Sequence, residues 1–374
     1  MTQPRSKLLE ILLDSPARKV TVMPSDDVGL DTSEPFPFLA VVGQEEMKLA
    51  LLLSIINPRV GGVLLIGPRG TAKTTAVRAL PDLLPEIRRS LCQYGCTEDI
   101  LEEEGMDGIC EDCQKKVGYD EPLTVSDRVR LLELPLNARL DDVVGGVNER
   151  IAIEQQRVRL ERGILGQADG QLLYIDEVNL LDDTITDAIL DAAAQGHYTV
   201  RRGPMRLRYR SRFLLIGSMN PEEGRLRPQL MDRFGLRAIV RGLAEPLQRY
   251  DAYTRVRLFH QSRERFAASY YDGTTALAEE VQAARMRLPK VEVGEDARDL
   301  GLRLVQHLQI DSNRAEITLF EAARAHAAAD ERDLVTPEDV QAVALLALRQ
   351  RRSEALSQYF TEQEAEDKKL KGLF

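Results

Sequence analysis

Residues 63–74 read Val63-Leu64-Leu65-Ile66-Gly67-Pro68-Arg69-Gly70-Thr71-Ala72-Lys73-Thr74. Four uninterrupted aliphatic residues suit a strand buried on both faces, the condition of a central strand in a parallel sheet. A glycine-containing loop follows, and Lys73, Thr74 and Thr75 lead into a helical stretch over 74–84. Strand, loop and helix amino terminus in this order make a phosphate cradle, because loop amides and the positive helix end converge on one anion. There a lysine at position 73 reaches the β- and γ-phosphates and the Thr74 hydroxyl reaches Mg²⁺. The candidate nucleotide-binding residues are Gly67, Arg69, Gly70, Thr71, Ala72, Lys73, Thr74 and Thr75. The usual pattern has Gly before the lysine. Ala72 stands there instead, and whether it weakens the loop depends on the sign of its φ. A glycine-rich turn with an accidental lysine is the bland alternative, and the strand–loop–helix context counts against it.

Working outward, residues 44–56 read as a helix with Glu45 and Glu46 near its start, where the dipole favours acids. Strand patterns recur at 129–134, 172–175, 206–216 and 236–240, with helical stretches at 141–165 and 185–194 between them. Strands separated by helices predict an α/β fold with a parallel, doubly wound sheet. After about residue 241 the strand signals stop, and 243–268, 274–288, 295–309, 315–329 and 337–351 read as helices. Thr336 can cap the last of these, with Pro337 at its first position and Asp339 returning the capping bond. The expected organisation is an arm over 1–35, a nucleotide-binding α/β domain over 36–241 and a smaller all-α helical domain over 242–374. An insertion over about 92–124 interrupts the α/β domain.

Two acids close the strand Leu172-Leu173-Tyr174-Ile175-Asp176-Glu177. Carboxylates just beyond a buried parallel strand stand at the sheet's carboxyl edge, where ligands bind. Asp176 is the candidate for the Mg²⁺ shell and Glu177 for orienting the attacking water. A solvated helix cap is the alternative, weakened by the phosphate loop upstream. Asn220, after the next apolar strand, can position water beside the γ-phosphate or merely open an Asn-Pro turn. Arg233, in Arg227-Pro228-Gln229-Leu230-Met231-Asp232-Arg233, is the candidate finger reaching a neighbouring subunit's γ-phosphate. Arg314, at the start of a helix, is the candidate for coupling the helical domain to the nucleotide; a solvated arginine is its bland alternative.

The 374 residues carry 43% hydrophobic and 29% charged residues, the balance of a globular protein with a real core. A net charge of −10, a pI near 5.2 and the absence of Trp argue against a general nucleic-acid binder. No apolar run reaches the ~18–20 residues that span a bilayer. Glu10 and Asp14 interrupt the apolar stretch 8–13, which reads as a short amphipathic helix rather than a signal peptide. A cytoplasmic protein is the expectation.

Cys92, Cys96, Cys110 and Cys113 are spaced C-x₃-C, thirteen residues, then C-x₂-C. Two close pairs can bring four thiolates to one Zn²⁺, form a redox switch, hold an iron–sulfur cluster or remain free thiols. Arg201, Arg202, Arg206, Arg208, Arg210 and Arg212 crowd twelve residues, and the last four alternate as on one strand face. They suit a partner-binding hairpin or a charged, aggregation-resistant edge. His197, His260, His307 and His326 show no metal-ligand spacing.

Several of these stretches in this order resemble the ATPase (I) subunit family of magnesium chelatase. They are Phe36-Pro37-Phe38 on through Val42 to Leu51, then 131–136, Tyr174-Ile175-Asp176-Glu177-Val178-Asn179-Leu180-Leu181-Asp182-Asp183, and 217–235 with Asn220-Pro221-Glu222-Glu223-Gly224. The resemblance covers about 36–91 and 124–242, and the helical tail more weakly. It implies an AAA+ fold, a hexameric ring and ATP with Mg²⁺ as cofactors. It implies a D subunit stacked on the ring and a porphyrin-binding H subunit. The implied function is an ATP-hydrolysing motor that drives Mg²⁺ into protoporphyrin IX in chlorophyll or bacteriochlorophyll biosynthesis. It gives Lys73, Thr74, Asp176, Glu177, Asn220, Arg233 and Arg314 the roles above, and puts a family insertion near 136–165. Ala72 and the four-cysteine segment depart from the family pattern and leave open a related remodelling ATPase with another client. A DNA-translocating factor rests on the arginine stretch alone.

Overall fold

The computed structural model describes residues 34–92, 94–146, 162–202, 205–224 and 226–351. The expected 8–13 helix, the polar tail from 358 and most of the 141–165 stretch lie outside these. In chain order the strands are β1 Val63–Ile66, β2 Ile87–Ser90, β3 Thr124–Asp127, β4 Leu131–Leu134, β5 Leu172–Ile175, β6 His197–Arg202, β7 Met205–Arg210, β8 Leu214–Met219, β9 Leu236–Ile239, β10 Glu292–Val293 and β11 Leu334–Val335. The helices are α1 Glu45–Ile56, α2 Lys73–Arg78, α3 Glu98–Glu104, α4 Glu111–Gly118, α5 Leu140–Val144, α6 Ile164–Gln167, α7 Asp183–Gln195, α8 Pro228–Met231, α9 Pro246–Gln261, α10 Arg263–Arg287, α11 Glu295–His307, α12 Arg314–Ala329 and α13 Pro337–Leu348.

Five strands form one parallel sheet in the order β4-β5-β8-β1-β9. The apolar run of β1 explains its central place. Val63 and Leu65 pack into a core with α1 on one face, while Leu64 and Ile66 pack into a second core with Ile185 and Ile189 of α7 on the other. A side chain that alternates between two cores cannot be polar at any position, hence the unbroken VLLI. α1 has ten of its twelve residues buried, so it reads as apolar all round rather than amphipathic. The chain leaves β1 for the far edge and returns with β8 and β9 on either side of it. The winding therefore reverses beside β1, which opens a crevice at its carboxyl end.

The first core runs on without a break into the helical part, where α12 contributes a string of buried alanines. Thr336 and Asp339 form the expected capping box. Four expectations are corrected. The 74–84 helix stops at Arg78 and gives way to a 3₁₀ turn, because Pro81 lacks the amide and disfavours α geometry before it. The 206–216 strand is two strands, broken where the Ser211 amide donates to Gly196 and the Arg212 carbonyl accepts from Gly170. The break expected between 268 and 274 falls instead at Ser262, where Phe36, Phe259 and Phe266 pack ring against ring and fix the corner. Strand pairing does not end at 241, since β10 and β11 form a short parallel pair.

His326, one of the four histidines without metal-ligand spacing, packs within the helical part. It is buried, and its Nδ1 lies 2.6 Å from Asp339 Oδ1. Arg332 donates to both oxygens of Asp339, so a cation already neutralises that buried carboxylate.

Candidate functional site

The loop after β1 is built by close approach. A Cβ at Gly67 would lie 2.0 Å from the Val240 carbonyl oxygen, so only glycine fits where β1 runs against β9. Gly70 has φ +76 and Ala72 has φ 65, ψ 22, both left-handed. The loop thus folds back on itself ahead of α2. Lys73 opens α2 and is only 8% exposed. Its Nζ donates to the carbonyls of Gly67 (2.7 Å) and Pro68 (2.8 Å). Burial lowers its pKa, and the nearby carboxylates of Asp176, Glu177 and Glu223 oppose that shift.

Asp176 and Glu177 arrive from the end of β5, one strand removed from β1. Thr74 Oγ1 lies 3.0 Å from the Tyr174 hydroxyl and 3.4 Å from Asp176 Oδ2. Tyr174 donates to Asp176 Oδ1 at 2.9 Å, and Ser218 donates to the same oxygen. The Ser218 hydroxyl also accepts from the Glu177 amide at 3.1 Å. A hydroxyl and a fixed carboxylate side by side are the hard oxygen donors that suit Mg²⁺. Arg69 reaches across the loop mouth to Glu177 (2.9 Å) and Glu223 (2.6 Å). Asn220 is buried at the end of β8, and its side-chain oxygen accepts from the Glu222 amide at 3.3 Å. It both starts the turn and faces the cleft.

Arg69, Gly70, Thr71, Ala72, Lys73, Thr74, Thr75, Asp176, Glu177 and Asn220 share one cavity of about 310 Å³. A second cavity of about 280 Å³ adjoins it through Gly70, Thr71, Ala72 and Thr75. Phe36, Val41, Val42, Leu243 and Val256 line its far side. A charged cleft continued by an apolar slot is the shape of a triphosphate joined to a flat base.

Arg233 and Arg314 are elsewhere. Both line a cavity of about 290 Å³ with Asp232, Gly61 and Leu214, at the amino edge of the sheet. Arg233 lies 3.1 Å from Asp191. Asp232 accepts from Arg351 at 2.9 Å and lies 3.5 Å from Arg314. The phosphate loop opens at the carboxyl edge, a four-residue strand away, or about 13 Å at ~3.3 Å per residue. Arg314 therefore does not reach back to its own chain's phosphate loop as expected; Asp232 holds it beside Arg233.

Sequence reasoning missed Tyr174, Ser218, Glu223 and the apolar slot. Tyr174 carries a readable signal, since it stands two residues before Asp176 and so shares its face of the strand. The slot carries none, because its walls come from three distant segments.

A family model described as an AAA domain of the dynein-related subfamily matches residues 62–234, and one described as an AAA lid domain matches 303–372. The chain is 43% identical over 314 residues to the magnesium-chelatase subunit ChlI homolog of Methanocaldococcus jannaschii, covering 84% of each chain. It is 41% identical over 319 residues to the magnesium-chelatase subunit ChlI of Synechocystis sp., covering 84% of this chain and 88% of that one. A cryo-EM-based structure of the complex between subunits BchI and BchD of magnesium chelatase is similar at 35% identity, with 87% of this chain and 99% of that chain covered and a TM-score of 0.47.

Proposed function

The chain belongs to the magnesium-chelatase I-subunit family and carries an AAA ATPase domain, and on that premise we propose that it is the ATP-hydrolysing motor of a magnesium chelatase, driving Mg²⁺ into protoporphyrin IX for chlorophyll or bacteriochlorophyll synthesis. The observation that carries the reading is the division of the hydrolytic residues between the two edges of one sheet. Lys73, Thr74, Asp176, Glu177 and Asn220 stand at the carboxyl edge, Arg233 and Arg314 at the amino edge. A complete site then needs two copies, the second offering its arginines to the first, which is the arrangement of a ring and agrees with a hexamer.

In this reading Lys73 exchanges its two carbonyl contacts for β- and γ-phosphate oxygens, and the loop amides of Gly67 to Thr75 hold the rest of the phosphate chain. Thr74 and Asp176 hold Mg²⁺, which when bound screens the phosphate charge and orients the triphosphate. Tyr174 and Ser218 keep the Asp176 carboxylate turned toward Thr74. An arriving γ-phosphate competes with Glu177 for Arg69, which releases a Glu177 oxygen to align and polarise water. Asn220 fixes that water from the other side. The neighbour's Arg233 takes up charge developing on the γ-phosphate, a contribution of about 10³–10⁵ in rate in related ATPases, and Arg314 stands beside it. The apolar slot takes the base.

The proposed domains are 36–241 and 242–374 after an arm over 1–35, and the proposed location is the cytoplasm. Among the described residues no helix is long and apolar enough to cross a membrane. The proposed partners are further copies of the chain, a D subunit and a porphyrin-binding H subunit. Beside ATP and Mg²⁺, the convergence of four sulfurs supports a structural Zn²⁺ at Cys92, Cys96, Cys110 and Cys113.

The test combines the purified chain with D and H subunits, protoporphyrin IX, Mg²⁺ and ATP, and follows Mg-porphyrin by its fluorescence. Product that requires this chain and vanishes with Lys73→Ala is the expected result. ATP hydrolysis without Mg-porphyrin would redirect the motor to another client, a protein complex that it remodels.

A further inference from the structure

The cysteine-bearing insertion leaves the α/β core through the antiparallel ribbon β2–β3, with Arg88 opposite Ser126. Its own buried centre is small: Cys96, Cys113, Ile109 and Leu123. Tyr94, Ile100, Leu101 and Val117 pack against it half-buried, and a module with so small a fully buried centre commonly depends on a metal or a cross-link. All four cysteines are free thiols. Their sulfurs all lie within 4.8 Å of one another. A tetrahedron of ~2.3 Å Zn–S bonds separates its sulfurs by about 3.8 Å, so the thiols stand within about an ångström of that arrangement.

The surrounding backbone is shaped for charged sulfur. The amides of Tyr94 and Cys96 donate to Cys92 Sγ at 3.3 and 3.4 Å, and the amide of Cys110 donates to Cys96 Sγ at 3.3 Å. Gly95 supplies the left-handed residue that lets the first turn close. Cys110 stands at the N-cap position of α4 and Cys113 in its first turn, so the second cysteine pair is carried by one helix start.

The same turn is bolted to the arginine hairpin. Arg162 donates to the Cys92 carbonyl at 3.2 Å and to the Gly166 carbonyl at 3.3 Å. A Cβ at Gly95 would stand 2.4 Å from the Arg162 guanidinium, and one at Gly166 would stand 2.8 Å from the Tyr198 hydroxyl. Arg210 donates to the hydroxyl of Thr97, the residue after Cys96, at 3.5 Å. The hairpin needs such support. Arg201 lies directly opposite Arg206, and Arg208 and Arg210 continue the same face opposite Thr199 and His197, so four arginines share it. Like charges in opposed positions destabilise a two-stranded ribbon, which is marginal to begin with. Acidic residues of the module, Glu103, Asp107 and Glu111, face Arg208 and Arg210 across a groove of about 920 Å³.

Resting on the zinc reading above, we infer that the metal makes the cysteine module a rigid brace, and that this brace holds the β6–β7 arginine hairpin in place through Arg162. The four cysteines lie outside the cavity lined by Lys73 and Asp176, so the metal's part is structural. It fixes the carbonyl of Cys92, on which Arg162 anchors, and the hydroxyl of Thr97, on which the hairpin's Arg210 anchors.

The test uses the full chain, purified under reducing conditions without chelator. Elemental analysis is expected to give near one zinc per chain. Hydrogen exchange is then read in 197–210 and in 172–175, before and after removal of the metal by a thiol-blocking reagent and a chelator. Exchange in the hairpin should rise on the order of tenfold while β5, in the core, stays protected. Absence of zinc with all thiols reduced, or iron in its place, overturns the zinc reading. Zinc present with hairpin exchange unchanged on its removal overturns the brace and leaves the zinc reading standing. Arg162→Leu serves as the second variant, since it spares the thiols. It should keep its zinc and still loosen the hairpin; unaltered hairpin exchange in this variant also overturns the brace.

Discussion

Ala72 occupies the position where a phosphate loop usually has glycine, and its φ of 65 and ψ of 22 are those of a left-handed residue. A non-glycine residue there costs roughly 1–2 kcal/mol, because Cβ crowds the following carbonyl. Glycine removes that cost but brings back about 0.5–1 kcal/mol through the greater freedom of the unfolded chain. Ala72→Gly should therefore stabilise the domain by about 0.5–1 kcal/mol, roughly 1–4 °C in Tm for a domain of this size. Gly70 provides the reciprocal experiment. Its φ is +76, and nothing lies within 4 Å of where a Cβ would stand, so Gly70→Ala adds strain without a clash. It should lose about what Ala72→Gly gains, roughly 1 kcal/mol, and the double variant should melt near the parent. Ala72→Val, with a branched side chain in the same left-handed well, should be the least stable. Calorimetry of nucleotide-free protein reads all four, with ATP titrations in parallel. Because glycine adopts the same left-handed turn and keeps the residue's amide, the ATP affinity of Ala72→Gly should stay within about twofold of the parent, a change well under 1 kcal/mol. A lower Tm for Ala72→Gly, or a parent-like Tm for Ala72→Val, would refute the assignment of strain to this residue.

Arg233→Ala and Glu177→Gln chains should each be nearly inactive alone, yet hydrolyse ATP when mixed, since an intact Glu177 site then meets an intact arginine across the interface; silence at every mixing ratio counts against the two-copy site. Asp339→Asn should destabilise the helical part by about 2–3 kcal/mol in denaturant titrations, short of the ~3–5 of a fully buried pair because Arg332 is partly exposed. Burial alone would raise the pKa of Asp339, but hydrogen bonds from Arg332, His326 and the Thr336 amide outweigh it and hold the carboxyl well below its ordinary range. The unfolded chain thus binds the proton first as pH falls. The stability Asp339 supplies is complete above about pH 5 and drains away below pH 4. The asparagine variant should lack that acid-dependent loss relative to the parent. Lys48 acts in the alkaline range. Burial, and next Arg255, lower its pKa to about 8, so between pH 8 and 10 the unfolded chain holds more protons and stability rises with pH. Lys48→Met should flatten that rise in urea titrations at pH 7 and 9.5, and an identical rise in the variant would remove Lys48 as its source.

Much of the site could be read from the chain because its chemistry is contiguous. Val63 to Thr75 carries strand, loop and helix start in one stretch, and Leu172 to Glu177 carries strand and acids in another. Their burial shows in composition, since a strand covered on both faces admits no polar residue. The ends of elements were less legible, because competing local effects settle them. Pro81 stops α2 early, and a cluster of three phenylalanines bends the chain at Ser262 rather than near Gly273.

The sequence alone determined that this chain has a phosphate loop, a strand-end acid pair, a parallel sheet and a helical tail, and it nominated Arg233 and Arg314. Only the tertiary structure decided which strands adjoin β1, that Tyr174 and Ser218 converge on Asp176, that Arg314 stands with Arg233 on the edge of the sheet away from Lys73, and that four cysteines from two turns meet. The physical reason is the range of the interactions. Backbone propensity and alternating burial act over a few residues and leave their period in the sequence. The placement of Arg314 against Asp232, or of Arg162 against Cys92, is settled by packing between segments some eighty and seventy residues apart, and nothing in either segment records where the other will lie.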